Sequence, residues 1–348
     1  MLEHVRGPVS TSAPHARGRP RPAPAHPILA LQRTAGNRAT AALLSRGTAA
    51  SSLLPDQTAR ARRFYRSQPK LYTPEILRQI QEAVGAEPTG TVTDELVAAV
   101  ARFQAGVRGQ GSEHPANRLA VDGMAGPRTL PVLFPTGLAA AEAMDEYTRD
   151  LVAFRGAMGE HDEELRRRLI GVAVGRRLTK LGIPVPAIVL GDENSFDEQE
   201  WVITYRRAGV KRIDVDEDEG MQLLLTGSYH EIRHCEQSFR TVQMLAGEGR
   251  TAAEIAEIMG MNPRNEPGHR TERVIAAAVA APLAPGSMDA LIAKGWFESV
   301  HGTGKAHRDR VLAGPPGNPG YRNLPEEFDA FYVADEIGDR FMGNPRGL

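Results

Sequence analysis

His230 and His234 lie four residues apart in the run His230-Glu231-Ile232-Arg233-His234, inside a segment from about Glu219 to Ala246 that reads as one helix. Its apolar residues Leu223, Leu224, Leu225, Ile232, Phe239, Val242 and Leu245 are those that would bury it. On a helix the two imidazoles project from one face a turn apart, the separation two ligands need to share a tetrahedral zinc ion. Glu231 is displaced around the helix, so its carboxylate can reach a water on the metal without binding the metal, as a general base must. Zinc lowers the pKa of such a water to about 7. Glu231 would then take its proton as the water attacks a peptide carbonyl. The chemistry these three residues imply is metal-assisted hydrolysis.

A third protein ligand must come from elsewhere. The candidates are His269, His301, His307 and the acidic cluster Glu326, Glu327 and Asp329, and spacing alone does not choose among them. Pro325 favours a helix start, which places Glu326 and Glu327 in a first turn, with Phe328, Phe331 and Tyr332 available to pack that helix onto the active-site helix. Tyr229 and Arg233 flank the motif; helix packing and surface charge are their simplest roles. Cys235 falls about 100° around the helix from His234 and reads as a small core residue.

The elements that must position these groups divide the chain unevenly. Its 348 residues carry a net charge of -1, with 41% hydrophobic and 24% charged residues, enough for two compact domains and a tail. The charge is asymmetric: residues 1–70 hold 12 Lys+Arg against 2 Asp+Glu, and residues 71–348 hold 30 against 41. The first 27 residues are rich in Pro, Arg, Ala and His and cannot bury enough apolar surface to order themselves. Their arginines are spread among prolines without stacking aromatics, so the segment reads as a solvated tail and not as a nucleic-acid site. We expect a disordered basic leader over residues 1–71, interrupted by a short helical motif at 28–44. No run is long and apolar enough for a membrane span, and no signal-peptide core is present. Cytoplasmic synthesis is expected, with any export by another route. One cysteine precludes an intramolecular disulfide.

From Thr73 (N-cap), Pro74 and Glu75 a helix is predicted to Val84, and a second from Thr93 presents Leu96, Val97, Val100 and Phe103 to one side. Thr129 is expected to cap a further turn. Residues Leu138 to Leu181 read as long helix, with the charge run 161–168 as a solvated face. Val185–Leu190, Trp201–Tyr205 and Val210–Val215 read as strands of a small antiparallel sheet. Thr251 to Glu254 form a capping-box pattern, followed by an Ala-rich helix from about Thr271 to Ala281. The expected fold class is α+β, mainly helical.

Three resemblances add to this reading. Gly90-Thr91-Val92, Ala99-Val100 with Phe103-Gln104, and Val121-Asp122-Gly123 with Gly126-Pro127 and Thr129 resemble a peptidoglycan-binding-like three-helix module over residues 72–135. This implies peptidoglycan as a partner. Leu31, Gln32, Arg33, Gly36, Asn37 and Ala39, then Leu43 and Leu44, resemble the leader of proteins encoded with extracellular contractile injection systems, which implies loading into such a particle and delivery outside the cell. His230-Glu231-x-x-His234 followed by Gln237, with Glu327-Phe328-Asp329-Ala330 downstream, resembles the gluzincin-type metallopeptidases associated with those systems. That resemblance implies a zincin-like domain over residues 138–348, a zinc shell of His230, His234 and Glu327, and a protein or peptide substrate. Asp329 would orient an imidazole from the second layer of contacts, and Glu326 remains a rival to Glu327. Competing functions are a cell-wall peptidase and a non-catalytic component with a stabilising zinc.

Overall fold

The computed structural model describes residues 53–109, 119–159, 162–261, 269–315, 318 and 320–343. The expected leader motif at 28–44 lies outside them. Described residues form a mainly helical α+β protein, with 13 α-helices and one three-stranded sheet. No described helix is long and apolar enough to cross a membrane.

The small N-terminal module starts earlier than expected. Helix α1 (Pro55–Arg66) lies in the stretch assigned to a disordered leader, and it is ordered by few residues: Ala61 and Tyr65 are its buried ones. The Tyr65 hydroxyl donates to the Gly123 carbonyl at 3.0 Å and accepts from the Ala125 N–H at 2.8 Å. Helix α2 (Pro74–Ala83) begins as predicted, with the Thr73 hydroxyl accepting from the Ile76 N–H. Helix α3 (Asp94–Gly109) buries Leu96, Val97 and Val100. Gln104, fully buried, ties α3 to the following loop: its amide oxygen accepts from the N–H groups of Asp122 and Gly123 at 3.0 and 2.9 Å. Its Nε2 donates to the Thr129 hydroxyl at 3.1 Å, so Thr129 does not cap the short helix α4 (Leu130–Leu133) as expected.

The expected long helix is two, α5 (Ala141–Met158) and α6 (Glu163–Lys180), because Asp162 caps a new start by accepting from the N–H groups of Glu164 and Leu165. Nor is the charge run all solvated. Arg166 is buried and donates to the carbonyls of Met158, Val210 and Ile213 at 2.6–2.8 Å, stapling α6 to the segment after the sheet.

The sheet comprises β1 (Ala187–Gly191), β2 (Ser195–Asp197) and β3 (Val202–Arg206) in the order β1-β3-β2. It is mixed and not antiparallel: β1 pairs parallel with β3, while β2 pairs antiparallel with β3. The third expected strand, 210–215, is instead helix α7 (Arg207–Arg212) and a following loop. Helix α8 (Asp218–Gly247) then runs 30 residues through the centre. Helices α9 (Ala252–Met259, with the expected capping box), α10 (Arg270–Ala280), α11 (Met288–Val300) and α12 (Lys305–Leu312) follow, and α13 (Pro325–Phe341) returns along α8.

The module is built into the rest of the molecule. Leu119 and Val132 pack with Phe328 and Tyr332 of α13, so these two aromatics face the module and not α8. Arg128 lies 5.6 Å over the Phe328 ring and donates to Asn323 at 2.9 Å. Val333 and Ile337 carry the apolar contact of α13 with the main core.

Candidate metal centre

Asp218 and Glu219 in the first turn of α8 favour its helix start, and Leu224, Leu225, Ile232, Phe239, Val242 and Leu245 hold it in the core. Leu223, expected among these, is 63% exposed. With the helix so anchored, His230 and His234 point the same way. Their Nε2 atoms are 3.1 Å apart and their ring centroids 4.7 Å. Glu327, in the first turn of α13 behind Pro325, brings Oε2 to 3.5 Å from His230 Nε2 and 3.4 Å from His234 Nε2. These three side chains could hold a metal ion.

The rival ligands are engaged elsewhere. Glu326 Oε1 accepts from Arg308 Nε at 2.9 Å. His301 Nε2 faces Glu198 at 3.2 Å, His269 Nδ1 faces the Thr271 hydroxyl at 2.8 Å, and His307 is exposed on α12.

Asp329 does not touch an imidazole. It acts one residue further out: Gln237 Nε2 donates to Asp329 Oδ2 at 2.7 Å, and Gln237 Oε1 lies 2.8 Å from His234 Nδ1. An acceptor there places a proton of His234 on Nδ1, so Nε2 is the ring nitrogen that faces Glu327 and His230. The same aspartate receives Arg233, through Nε at 2.8 Å and Nη2 at 3.2 Å. Arg233 is therefore buried, not a surface charge, and lies 5.3 Å over the Trp296 ring. Glu236 completes its pairing at 2.5 Å and also accepts the Leu138 N–H. Burial would lower the Arg233 pKa, but these two carboxylates hold it above its usual value. Tyr229 packs in the core and donates to the Leu138 carbonyl at 2.7 Å, and Cys235 is fully buried as expected.

Charge is concentrated where the ligands meet. Burial draws the His234 pKa down, yet the Glu327 carboxylate and its hydrogen bond outweigh this and raise it to about 9. Glu327 is held well below the usual carboxylate range despite burial, by the two histidines. Glu231 moves oppositely: burial pushes it up, against the pull of His230 and His234. A buried carboxyl whose affinity for a proton is raised suits a proton-accepting role better than an exposed one.

Glu231 and the ligands line a cleft of about 270 Å³. Asn194, Ser195, Phe196, Trp296, Arg308 and Tyr321 are among its other lining residues. Burial, the neighbouring Glu327 carboxylate and a hydrogen bond to it push the Tyr321 hydroxyl up, so it stays protonated. Glu198, Arg308 and Tyr321 were not singled out by sequence reasoning. Only Tyr321 carried a usable signal, its place six residues before Glu327. No protein-family model matches the chain, and no curated protein and no solved structure matches it.

Proposed function

We propose that the chain is a zinc-dependent metallopeptidase with a zincin-like catalytic domain. One observation carries the reading, the triangle of donor atoms His230 Nε2, His234 Nε2 and Glu327 Oε2. Zinc–ligand bonds of 2.0–2.1 Å in tetrahedral geometry separate neighbouring donors by about 3.3 Å. The observed separations are 3.1, 3.4 and 3.5 Å. Two imidazoles and one carboxylate are also the donor set that suits zinc. Glu327 Oε2 is a buried carboxylate oxygen set between the two imidazoles, the position a shared cation would account for.

Zinc held there would act as a Lewis acid and make a bound water acidic near neutral pH. The remaining work falls to the chain. Glu231 takes a proton on its carboxylate and is placed to return it to the leaving amine. Gln237, braced by Asp329, fixes the His234 ring. Tyr321 presents a hydroxyl donor to the cleft, suited to the oxygen of a polarised carbonyl. β2 pairs with β3 on one side and has no strand partner on its other edge among the described residues. Its residues Ser195 and Phe196 line the cleft, so an extended peptide can lie along that edge.

Because the ligands open onto a cleft and a general base stands beside them, catalysis is favoured over a stabilising zinc, whose sites are closed by four protein ligands. The test is peptide-library cleavage by the full-length protein with and without a chelator. Cleavage that chelation abolishes and zinc restores is expected. Cleavage indifferent to chelation, or none with zinc bound, overturns the proposal.

A further inference from the structure

The cleft extends past the metal ligands toward the C-terminal end of α8. Ser238 follows His234 by one helical turn, about 6 Å along the axis. Its hydroxyl donates to Glu198 Oε2 at 3.1 Å. Glu198 therefore stands one turn beyond the metal ligands, and successive residues of an extended peptide advance about 3.4 Å. That places its carboxylate within one or two residues of a bond held at the metal.

Four glutamates line this cleft: Glu198, Glu231, Glu326 and Glu327. Glu231 and Glu327 belong to the metal centre, and Glu326 is paired with Arg308. Glu198 is the one of the four with neither metal nor arginine against it. Its partners are Ser238 and His301 Nε2 at 3.2 Å, and its side chain keeps 24% exposure. Phe196, Met259, Trp296 and Val300 supply apolar wall along the same cleft.

Apolar walls ending in a carboxylate match a long side chain whose stem is methylene and whose head is a cation. We infer that this end of the cleft is a subsite for a lysine or arginine side chain of the substrate, with Glu198 as its specificity determinant. The inference rests on the peptidase reading for the identity of the substrate, while the binding preference itself can be measured without turnover. A basic head group would meet Glu198 in a partly buried, charge-assisted contact, displacing His301 or sharing the carboxylate with it.

The test uses full-length, zinc-loaded Glu231→Gln protein, titrated with N-acetyl-argininamide and N-acetyl-leucinamide. Fluorescence reports occupancy, since Trp296 lines the cleft and the other tryptophan, Trp201, does not. The arginine amide should bind about tenfold more tightly or better, and a further Glu198→Gln change should bring the two amides together. Glu198→Arg should reverse the preference toward N-acetyl-aspartamide, a gain that a misfolded variant would not show. Equal binding of the two amides by the parent, or a preference that survives Glu198→Gln, overturns the subsite. Library cleavage by the wild type separates this from the function itself. Cleavage without Lys or Arg enriched beside the cut overturns the subsite and leaves the peptidase standing. Selective binding without cleavage supports the subsite and contradicts the peptidase.

Discussion

Replacing Asp329 with alanine should damage the protein in two separable ways. Asp329 is 1% exposed and accepts Arg233 Nε at 2.8 Å and Nη2 at 3.2 Å. Breaking a buried ion pair costs about 3–5 kcal/mol, mostly from the charge left behind. Arg233 keeps Glu236 at 2.5 Å, which holds the loss to the lower end, about 3 kcal/mol. In a protein of 348 residues that corresponds to a fall in Tm of roughly 4 °C, read on the zinc-free form by calorimetry. The second effect is on the metal. Without Asp329, Gln237 Nε2 keeps only the Glu326 carbonyl at 2.9 Å, and the brace on His234 loosens. Zinc affinity, measured by competition with a chromophoric chelator, should fall by about 10–100-fold. Gln237→Leu isolates this part, because it leaves Asp329 on Arg233. It should weaken zinc about tenfold with a smaller change in the Tm of the zinc-free protein. A zinc-free Asp329→Ala protein that melts with the wild type, or wild-type zinc affinity in Gln237→Leu, would refute the reasoning.

Three further outcomes are expected. Tyr321→Phe should keep its zinc, measured by elemental analysis, and lose about 100-fold in kcat on any cleaved peptide, as removal of a carbonyl-polarising donor does. Gly123→Ala should lower stability by about 2 kcal/mol in chemical unfolding, because Gly123 has φ 73° and an added Cβ would stand 2.6 Å from Val97 Cγ1. Truncation to residues 135–348 uncovers Phe328 and Tyr332, which are 0% and 7% exposed. The truncated protein should lose solubility or zinc relative to the full chain, whereas a merely tethered module would leave both unchanged.

Local patterns were readable wherever one short segment contains the whole device. The histidine pair on α8 and the capping box at Thr251 each depend on residues within a turn or two, and both are as expected. The start of α13 at Pro325 is equally local, and the placement of Glu327 follows from it. What sequence reasoning missed depends on distant partners. Arg233 and Arg166 read as surface charges because the groups that satisfy them, Asp329 and the carbonyls of Val210 and Ile213, are 44 to 96 residues away. Helix α1 carries arginine at every other position or closer from Arg60 to Arg63, and its few buried residues, Ala61 and Tyr65, make a weak periodic signal. The parallel pairing of β1 with β3 depends on β2 occupying the far edge, which strand composition does not encode. Glu198 is one acidic residue among many until Ser238 and His301 are seen beside it.

The central claim is that Glu231 serves a zinc ion held by His230, His234 and Glu327, without binding it. Its most direct test is to measure zinc content and peptide cleavage together in the Glu231→Gln protein. One zinc per chain with cleavage abolished is the expected result, set against His230→Ala, which should lose both. Full cleavage by Glu231→Gln, or loss of its zinc, would contradict the account.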